Sequence, residues 1–361
     1  MRFFETLKTR WGGDVLVRRA PFVYGHFRRK IAAVETMAAH EASSFIQARE
    51  AVLRAWAAMT RFYGRDVKWG AWHDLSFLDK DTVRGREREM RGRTFLPVAR
   101  AFTSGTTWTP LSLFRDWQSV VLEQAAIDHV LAKAGVDLRR SKIAVLRGDT
   151  LQNPTDMTPP FWRDTREGRV RTFSSNHLCA ATAPDYVEAL RAFSPDVLWV
   201  YPTSLEMLMK LAGAGSSLPS LRCVMSSSEV LRPDVRALAT RILKVPVMDI
   251  YGMAERVAFA YGAGDGYRFL AAYGKVELIK TGGDDENDFY EIVASNLWNK
   301  AQPFVRYRTG DVAILDKGLD AAALNEVCLG LRVFKGIRGR AGDYLISPDG
   351  VRLMGIDHIP R

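Results

Sequence analysis

The chain has 361 residues and a formal net charge of +10, with 47% apolar and 25% charged residues. These proportions exclude a mainly disordered chain, because enough apolar side chains are present to fill a packed core. No apolar run approaches the ~18 residues of a membrane span, and the first residues lack the apolar stretch of a secretory signal. We therefore expect a cytoplasmic protein without a membrane span.

The excess positive charge is concentrated at one end, since the first hundred residues carry nine of the ten excess charges. Such a region suits nucleic acid, an acidic protein or a membrane surface. However, no block of five or six like charges occurs, and a solvated helical face rich in arginine explains the same imbalance. We therefore predict no nucleic-acid partner.

The three cysteines are far apart and form no C-x-x-C pair: Cys179, Cys223 and Cys328. Their spacing argues against a disulfide framework and against a zinc site. We expect all three to be reduced residues of the core of a cytosolic protein.

Residues 1–95 have a helical pattern. Residues 31–63 contain few helix breakers and place apolar side chains at helical spacing. Residues 77–81 then have the composition of a turn that opens a short helix. We expect this helical region to pack on the body of the protein.

From about residue 96, short apolar runs alternate with helical patterns. The runs typical of buried strands are residues 143–146, 197–201, 223–225 and 245–250. The helical patterns cover residues 114–133, 186–192, 204–212 and 233–242. This alternation predicts an α/β fold in which helices cover a largely parallel sheet.

Beyond about residue 262 the helical patterns become rare. The segments with strand composition are residues 275–279, 290–294, 312–315 and 332–337. They predict a second, more antiparallel sheet. The acidic, glycine-rich residues 282–288 lack the spacing and terminal Glu of an EF-hand, so we interpret them as a solvated hairpin loop.

A hydroxyl-rich loop is the most informative short segment. Five of the eight residues from Thr103 to Pro110 carry hydroxyl groups, and Gly105 lies among them. Such a loop can direct several N–H and hydroxyl groups at one phosphate, although a similar run can also be a surface turn. The chain contains no Walker A spacing, so this would be a phosphate site of another kind.

Three downstream segments add groups that suit a nucleotide. Tyr251 and Glu255 follow a predicted strand, at the edge where open α/β sheets bind ligands. A tyrosine there can cover a base, and a carboxylate can hold Mg²⁺ against phosphates. Asp311, in Tyr-Arg-Thr-Gly-Asp, can accept hydrogen bonds from ribose hydroxyls, and Arg340, in Arg-Gly-Arg, can contact phosphate or ribose.

In their order and spacing these four segments resemble those of the adenylate-forming enzymes, the superfamily of acyl-CoA synthetases and peptide-synthetase adenylation domains. Residues 199–205, 226–229, 295–297 and 339–350 are similar to the phenylacetate–CoA ligase and CapK-type subgroup. The resemblance covers residues 75–360. It implies the large N-terminal body of such an enzyme: layered α/β sheets flanked by helices, plus a smaller β-rich subdomain.

The resemblance also implies a division of the chain. Residues 1–95 would form the helical region, 96–261 the nucleotide- and acyl-binding core, and 262–338 the β-rich subdomain. Residues 339–361 would be a hinge and the start of a truncated C-terminal domain.

The activity implied by the resemblance is that of an AMP-forming carboxylate ligase dependent on ATP and Mg²⁺. A carboxylate would attack the α-phosphorus of ATP, giving an acyl-adenylate and pyrophosphate. Coenzyme A or another thiol would then take the acyl group. The implied partners are an aryl or fatty acid and an acyl-acceptor thiol, and a homodimer is left open.

Individual residues acquire roles from the same resemblance. The catalytic roles fall on Thr106, Glu255 and Arg340, and Glu255 is also the implied metal ligand. The residues implied to bind the nucleotide are Thr103, Ser104, Gly105, Thr106, Thr107, Ser227, Ser228, Glu229, Asp249, Tyr251, Gly252, Met253, Asp311 and Arg340. The residues implied for the acid pocket are His177, Tyr201, Ser226 and Met253. A purely structural histidine is the alternative for His177, and an adjacent Cys179–His177 nucleophile pair has no supporting signature.

Several positions depart from the family pattern. Trp108 replaces a glycine, Leu111 a lysine, Ala254 a hydroxyl residue, and Ser227 and Ser228 a glycine pair. These changes remove backbone freedom, a cation and a hydroxyl group from one site. The alternative hypothesis is therefore a catalytically degenerate homologue that binds a nucleotide, an acyl ligand or a partner protein.

The family usually continues past the motif of Gly339 and Arg340 into a mobile domain of roughly a hundred residues, which brings a catalytic lysine. The sequence contains no such domain, and Gly342 replaces the usual hinge aspartate. We expect a shortened chain, a natural loss, or a separate partner that supplies the domain.

Overall fold

The computed structural model describes residues 17–64, 67, 70–102, 111–149, 151–213 and 217–339, and the backbone of two short strands, Tyr344–Ile346 and Arg352–Met354. The chain forms two compact units. The first unit contains residues 1–129, 252–260 and 266–341, and the second contains residues 130–251, 261–265 and 342–361.

The first unit begins with two helices, α1 (Val23–Glu35) and α2 (Ala39–Ala57). The helical pattern predicted for residues 31–63 is thus confirmed, with an interruption between the two helices. Thr36 ends α1, because its hydroxyl donates to a main-chain carbonyl of the last turn at 3.0 Å and so competes with helix continuation. Glu41 then fixes the start of α2 by accepting a hydrogen bond from the main-chain N–H three residues earlier, at 2.9 Å.

The turn predicted at residues 77–81 opens a short helix, α3 (Lys80–Val83), as expected. The carboxylate of Asp79 caps it by accepting the N–H of Thr82 at 2.6 Å. The same hydrogen bond holds the pKa of Asp79 below its usual range.

A hairpin and a long helix follow in the first unit. Strands β1 (Val98–Phe102) and β2 (Ser112–Asp116) pair antiparallel, and α4 (Trp117–Lys133) begins directly after them. The carboxylate of Asp116 accepts the N–H of Ser119 at 2.9 Å and so satisfies one of the free donors at the start of α4.

The second unit contains strands of a mainly parallel sheet: β3 (Ile143–Leu146), β4 (Trp162–Thr165), β5 (Val170–Phe173), β6 (Val197–Val200), β7 (Cys223–Ser227) and β8 (Val247–Gly252). They follow the order β4-β5-β3-β6-β7-β8, and only β4 and β5 are antiparallel among these pairs. The helices between the strands are α5 (Ala183–Phe193), α6 (Pro202–Ala212) and α7 (Pro233–Leu243). The strands predicted at residues 143–146, 197–201, 223–225 and 245–250 and the helices predicted at 186–192, 204–212 and 233–242 are confirmed, with small shifts at their ends. Strands β4 and β5 were not predicted, and the helix predicted to begin at residue 114 begins at Trp117 because the preceding residues belong to β2.

The two faces of this sheet differ. The sheet residues that pack with α5, α6 and α7 in one apolar core are Ala144, Leu146, Phe173, Leu198, Val200, Val224 and Val247. Val145, Trp199 and Met225 pair in register across β3, β6 and β7. Because side chains alternate along a strand, these three residues lie on the opposite face.

The first unit also contains the second predicted sheet. Two short strands, β9 (Phe259–Gly262) and β10 (Tyr267–Phe269), precede it in the chain. Its four strands follow one another in chain order, and each pairs antiparallel with the next: β11 (Gly274–Gly283), β12 (Asn287–Asn296), β13 (Tyr307–Asp316) and β14 (Gly336–Arg338). A helix, α8 (Ala321–Cys328), connects β13 to β14.

Two details of this sheet bear on the predictions. The strand predicted at residues 332–337 begins only at Gly336, because Phe334 instead exchanges main-chain hydrogen bonds with Tyr267. The predicted acidic hairpin loop joins β11 to β12. There the carboxylate of Asp284 accepts main-chain N–H groups of the loop at 2.9 and 2.7 Å.

The remaining described strands, β15 (Tyr344–Ile346) and β16 (Arg352–Met354), pair antiparallel. None of the described helices combines the length and the apolar character that crossing a bilayer requires.

Candidate functional site

Glu255 lies in the first unit, in a turn that follows β8. Its side chain is 4% exposed, and Oε1 accepts a hydrogen bond from the Tyr307 hydroxyl at 2.9 Å. In the part of the chain that the structure describes, no arginine or lysine forms an ion pair with this carboxylate. Arg115 interacts electrostatically with this carboxylate, but from outside ion-pair distance. A buried carboxylate whose bonded partner is a neutral donor is costly unless a cation completes its coordination, so Glu255 fits a metal ligand.

The donor set around Glu255 fits magnesium better than a metal held by protein side chains alone. The described residues contain no cluster of three or more His, Cys, Asp or Glu side chains. Mg²⁺ characteristically binds one or two carboxylates together with waters and substrate phosphates. A single buried carboxylate is therefore sufficient for a metal that arrives with a nucleotide.

Two arginines fix the backbone of the turn that carries Glu255. Arg115 Nε donates to the Ala254 carbonyl at 3.0 Å, and an Arg256 guanidinium nitrogen donates to the Ser119 carbonyl at 2.8 Å. Burial, together with the nearby charge of Arg256, lowers the pKa of Arg115 to about 10. Neither arginine belongs to a predicted motif, because contacts with main-chain carbonyls far along the chain leave no sequence pattern.

Asp311 lies in a bulge of β13. Between the pairs Glu291–Val312 and Val293–Arg308, one residue of β12 faces three residues of β13. Gly310 has φ of +76°, a conformation that glycine adopts without strain. The bulge takes the Asp311 side chain out of the regular alternation, and bulges of this kind often redirect side chains at functional sites.

In the second unit, the predicted segment of residues 226–229, here called the serine segment, lies at the end of β7. Ser227 Oγ accepts a hydrogen bond from Trp199 Nε1 at 3.1 Å. Ser228 is exposed and has φ of +75°, in the region that disfavours side chains. The backbone thus keeps the conformation that a glycine would adopt, although a serine occupies the position.

The other predicted residues of the second unit have varied surroundings. Glu229 accepts the N–H and hydroxyl of Thr203 at 3.0 and 3.1 Å, at the start of α6. Ser226 is fully buried, and its Oγ has no hydrogen-bond partner among the described residues. Burial raises the pKa of Tyr201, which directly precedes α6.

The predicted segment around Tyr251 is divided between the two units. Asp249 is buried within β8 and Tyr251 is half-buried near its end. Gly252 and Met253 belong to the first unit by residue range, and Gly252 is exposed.

His177 lies inside the second unit and is 1% exposed. Its Nδ1 is 2.7 Å from Ser174 Oγ, and its Nε2 is 3.1 Å from the Asn153 carbonyl oxygen. The ring also stacks on Phe161 at a centroid distance of 5.3 Å. Both ring nitrogens therefore have protein partners, as expected of a structural histidine.

The expectation that all three cysteines are core residues is wrong for one of them. Cys223 is buried and Cys328 is partly buried, but Cys179 is exposed. The apolar run around Cys179 ends in a turn before α5, where its side chain faces solvent. The Thr182 hydroxyl and main-chain N–H groups stabilise the thiolate and lower the pKa of Cys179, whereas burial raises the pKa of Cys223 to about 12.

We expect Cys179 to react first with a thiol reagent, with Cys223 on the order of 100-fold slower because it needs local opening. A lowered pKa increases the thiolate fraction at a given pH, so Thr182→Ala should slow labelling at pH 7 and leave the rate above pH 9.5 unchanged. Mass spectrometry of the labelled native protein, with Cys179→Ser as control, measures both effects. Equal labelling of Cys179 and Cys223 would contradict the assignment.

Part of the predicted site lies outside the described residues. This applies to Thr103, Ser104, Gly105, Thr106, Thr107, Trp108, Arg340 and Gly342. Their implied roles stay predictions.

Comparisons with known proteins support one class. The family model described as AMP-binding enzyme matches residues 170–277, a segment that contains the serine segment and Glu255. No curated protein sequence matches significantly. This match supports the adenylate-forming class to which the motifs point.

Solved structures with a similar fold were also found. The chain is similar to 2-hydroxyisobutyryl-CoA ligase in the postadenylation state in complex with R3-HIB-AMP, with 14% identity, a TM-score of 0.57, and coverage of 89% of this chain and 72% of that one. It is also similar to the same ligase in complex with 2-HIB-AMP and CoA, with 16% identity, a TM-score of 0.57, and coverage of 88% and 73%. The predicted α/β fold of a ligase body is confirmed.

Proposed function

We propose that the chain activates a carboxylic acid with ATP, forming an acyl-adenylate. The observation that carries the proposal is the buried Glu255 carboxylate, which has Tyr307 as a neutral donor and no ion-pair partner among the described residues. The family match over residues 170–277 and the ligase fold support it. The finer parts of the proposal are a phenylacetate–CoA ligase or CapK-type specificity, a thiol acceptor such as coenzyme A, and a cytoplasmic location.

In this proposal the phosphates and the ribose are bound by residues of several predicted motifs. Glu255 would hold Mg²⁺, which neutralises charge on the phosphates when bound. Tyr307 positions the Glu255 carboxylate, and Arg115 fixes the adjoining main chain. Asp311 would accept hydrogen bonds from ribose hydroxyls, and the bulge at Gly310 directs it. The hydroxyl groups of Thr103–Thr107 and the Arg340 guanidinium would add donors to phosphate oxygens.

Other predicted residues are proposed for the base and the acid. Ser227, Ser228 and Tyr251 are proposed for adenine, and Tyr201 and Ser226 for the acid. The positive φ of Ser228 supports this role, because it keeps the backbone in a conformation that favours glycine, the residue of the family pattern. The contacts of His177 favour the structural alternative for that residue.

The chemistry needs positioning more than covalent catalysis. A carboxylate oxygen of the acid forms a bond to the α-phosphorus of ATP, the bond from that phosphorus to the β-phosphate oxygen breaks, and pyrophosphate leaves with the electron pair. In a second step a thiolate would attack the acyl carbonyl, and AMP would leave. Holding both reactants in line and neutralising the phosphates supply most of the rate enhancement in such reactions.

One observation favours a second candidate, a degenerate homologue that binds without turnover. Leu111, at the position of a lysine in many relatives, is fully buried. The cation is therefore absent and replaced by a side chain that belongs to the apolar core. Ala254 likewise offers no hydroxyl, and its carbonyl already binds Arg115.

ATP–pyrophosphate exchange separates the two candidates. We expect exchange above the acid-free background with at least one member of a panel of aryl, fatty and dicarboxylic acids. The panel is measured with the chain alone and with a C-terminal domain of a ligase fused to it. Absence of exchange with both proteins, together with retained ATP binding by calorimetry, would reject catalysis and support the degenerate homologue.

A further inference from the structure

A group of side chains in the second unit lies outside every motif of the sequence analysis. Arg147 directly follows β3, and its guanidinium lies over the Trp199 ring at 4.2 Å from the centroid. Trp199 in turn donates to Ser227 Oγ. The sheet register and the alternation of side chains place these three residues on the face opposite α5, α6 and α7.

The position of this group is one where ligands bind. Arg147 and Ser227 lie at the carboxyl ends of the parallel strands β3 and β7, the edge where open α/β sheets bind ligands. Tyr201 follows the strand between them, β6, and interacts electrostatically with Arg147. The group therefore includes Ser227, which is proposed for the base, and lies next to Tyr201, which is proposed for the acid.

Among the described residues, no carboxylate lies within ion-pair distance of the Arg147 guanidinium. Its Nε is buried and has no hydrogen-bond partner within the described part of the chain. Asp149 is close enough to affect it electrostatically but is exposed and outside ion-pair distance. Partial burial lowers the pKa of the Arg147 guanidinium. A partly desolvated cation whose Nε has no hydrogen-bond acceptor raises the free energy of the ligand-free protein, and an anion would relieve this.

We propose that Arg147 binds a second anionic group on the acid, so that the substrates are acids carrying two anionic groups, such as dicarboxylates. This inference rests on the proposed function of the same site. A guanidinium stacked on an aromatic ring keeps its edge available for a bidentate contact with a carboxylate. Tyr201, which interacts electrostatically with Arg147, is proposed for the acid, so the acid is the source of the anion in this proposal.

The test compares matched acids that differ by one carboxylate: benzene-1,4-dicarboxylate with benzoate, and hexanedioate with hexanoate. Binding is measured by calorimetry and by the ligand-induced rise in Tm, neither of which requires turnover. We expect the dicarboxylates to bind at least about 10-fold more tightly, since a charge-assisted bidentate contact contributes about that factor. Arg147→Gln should reduce this preference to near unity, and Arg147→Lys should retain part of it.

Arg163→Gln is the matched control, because it removes an exposed arginine from β4 of the same unit. It should keep the preference unchanged. Near-UV circular dichroism without ligand checks that each variant is folded. If Arg147→Gln does not fold, Arg147→Lys still tests the inference.

Four outcomes decide the inference. Equal binding of the matched acids, or an equal preference in wild type and in both Arg147 variants, would overturn it. A loss of AMP or pyrophosphate affinity in Arg147→Gln, without a change for the dicarboxylates, would assign the arginine to phosphate and also overturn it. A dicarboxylate preference that depends on Arg147 supports it, even if the exchange assay rejects catalysis and thereby the proposed function.

Discussion

Replacing Glu255 by Gln is expected to lower ATP–pyrophosphate exchange by about 100-fold or more, because a neutral amide cannot hold Mg²⁺ against the phosphates. The side chain keeps its size, and its oxygen can still accept the hydrogen bond from Tyr307. The fold should therefore persist. Calorimetry with ATP at several Mg²⁺ concentrations extends the test to a protein without turnover: the Mg²⁺ dependence of ATP binding should disappear.

Two further variants control this result. Glu326→Gln removes an exposed carboxylate of the same unit, paired with Arg332 at 3.3 Å, and should leave exchange and Mg²⁺ dependence unchanged. Tyr307→Phe keeps the Glu255 carboxylate but removes its donor, so a smaller loss is expected. An unchanged Mg²⁺ dependence in Glu255→Gln would exclude Glu255 as the metal ligand.

Replacing Arg306 by Ala is expected to lower the free energy of unfolding of the first unit by about 3–5 kcal/mol, the usual cost of leaving a buried charge unpaired. Arg306 is 5% exposed and pairs with Glu277 at 3.0 Å. It also donates to the main-chain carbonyls of His73 and Leu75 at 2.8 and 2.6 Å. The substitution removes all of these bonds at once. Urea denaturation measures the change through the midpoint and the slope.

Arg332→Ala is the matched control for this prediction. The side chains of Arg332 and its partner Glu326 are each 44% exposed, so removing this pair should cost less than about 1 kcal/mol. Equal losses in the two variants would show that the contacts of Arg306 do not stabilise the unit beyond an ordinary surface pair.

The sequence allowed the sheets to be predicted because their strands are short apolar runs bounded by turns. The run at Ile143–Leu146 coincides with β3, and the second sheet was found from the same signal. The interruption at Thr36 was missed, since a threonine is tolerated in many helices and acts here through a hydroxyl bond to its own last turn.

The contacts that organise the candidate site were less accessible from the sequence. Tyr307 was part of a quoted motif, but nothing in that motif indicated that its hydroxyl would bind Glu255, 52 positions away. Arg115, Arg147 and Arg306 belong to no motif. Each acts through main-chain carbonyls, an aromatic ring or a distant carboxylate, and such partners are brought together only by the tertiary fold.

Strand β13 and the residue before it contain both a residue that stabilises the first unit and residues proposed for the site. Arg306 immediately precedes it, Tyr307 begins it, and Asp311 lies in its bulge. Local opening of this stretch would break the Arg306 contacts, so its amide protons should exchange with solvent only through unfolding of the whole first unit. The groups around Glu255 are consequently held in place before any ligand arrives, and the ordering entropy is lost during folding rather than during binding.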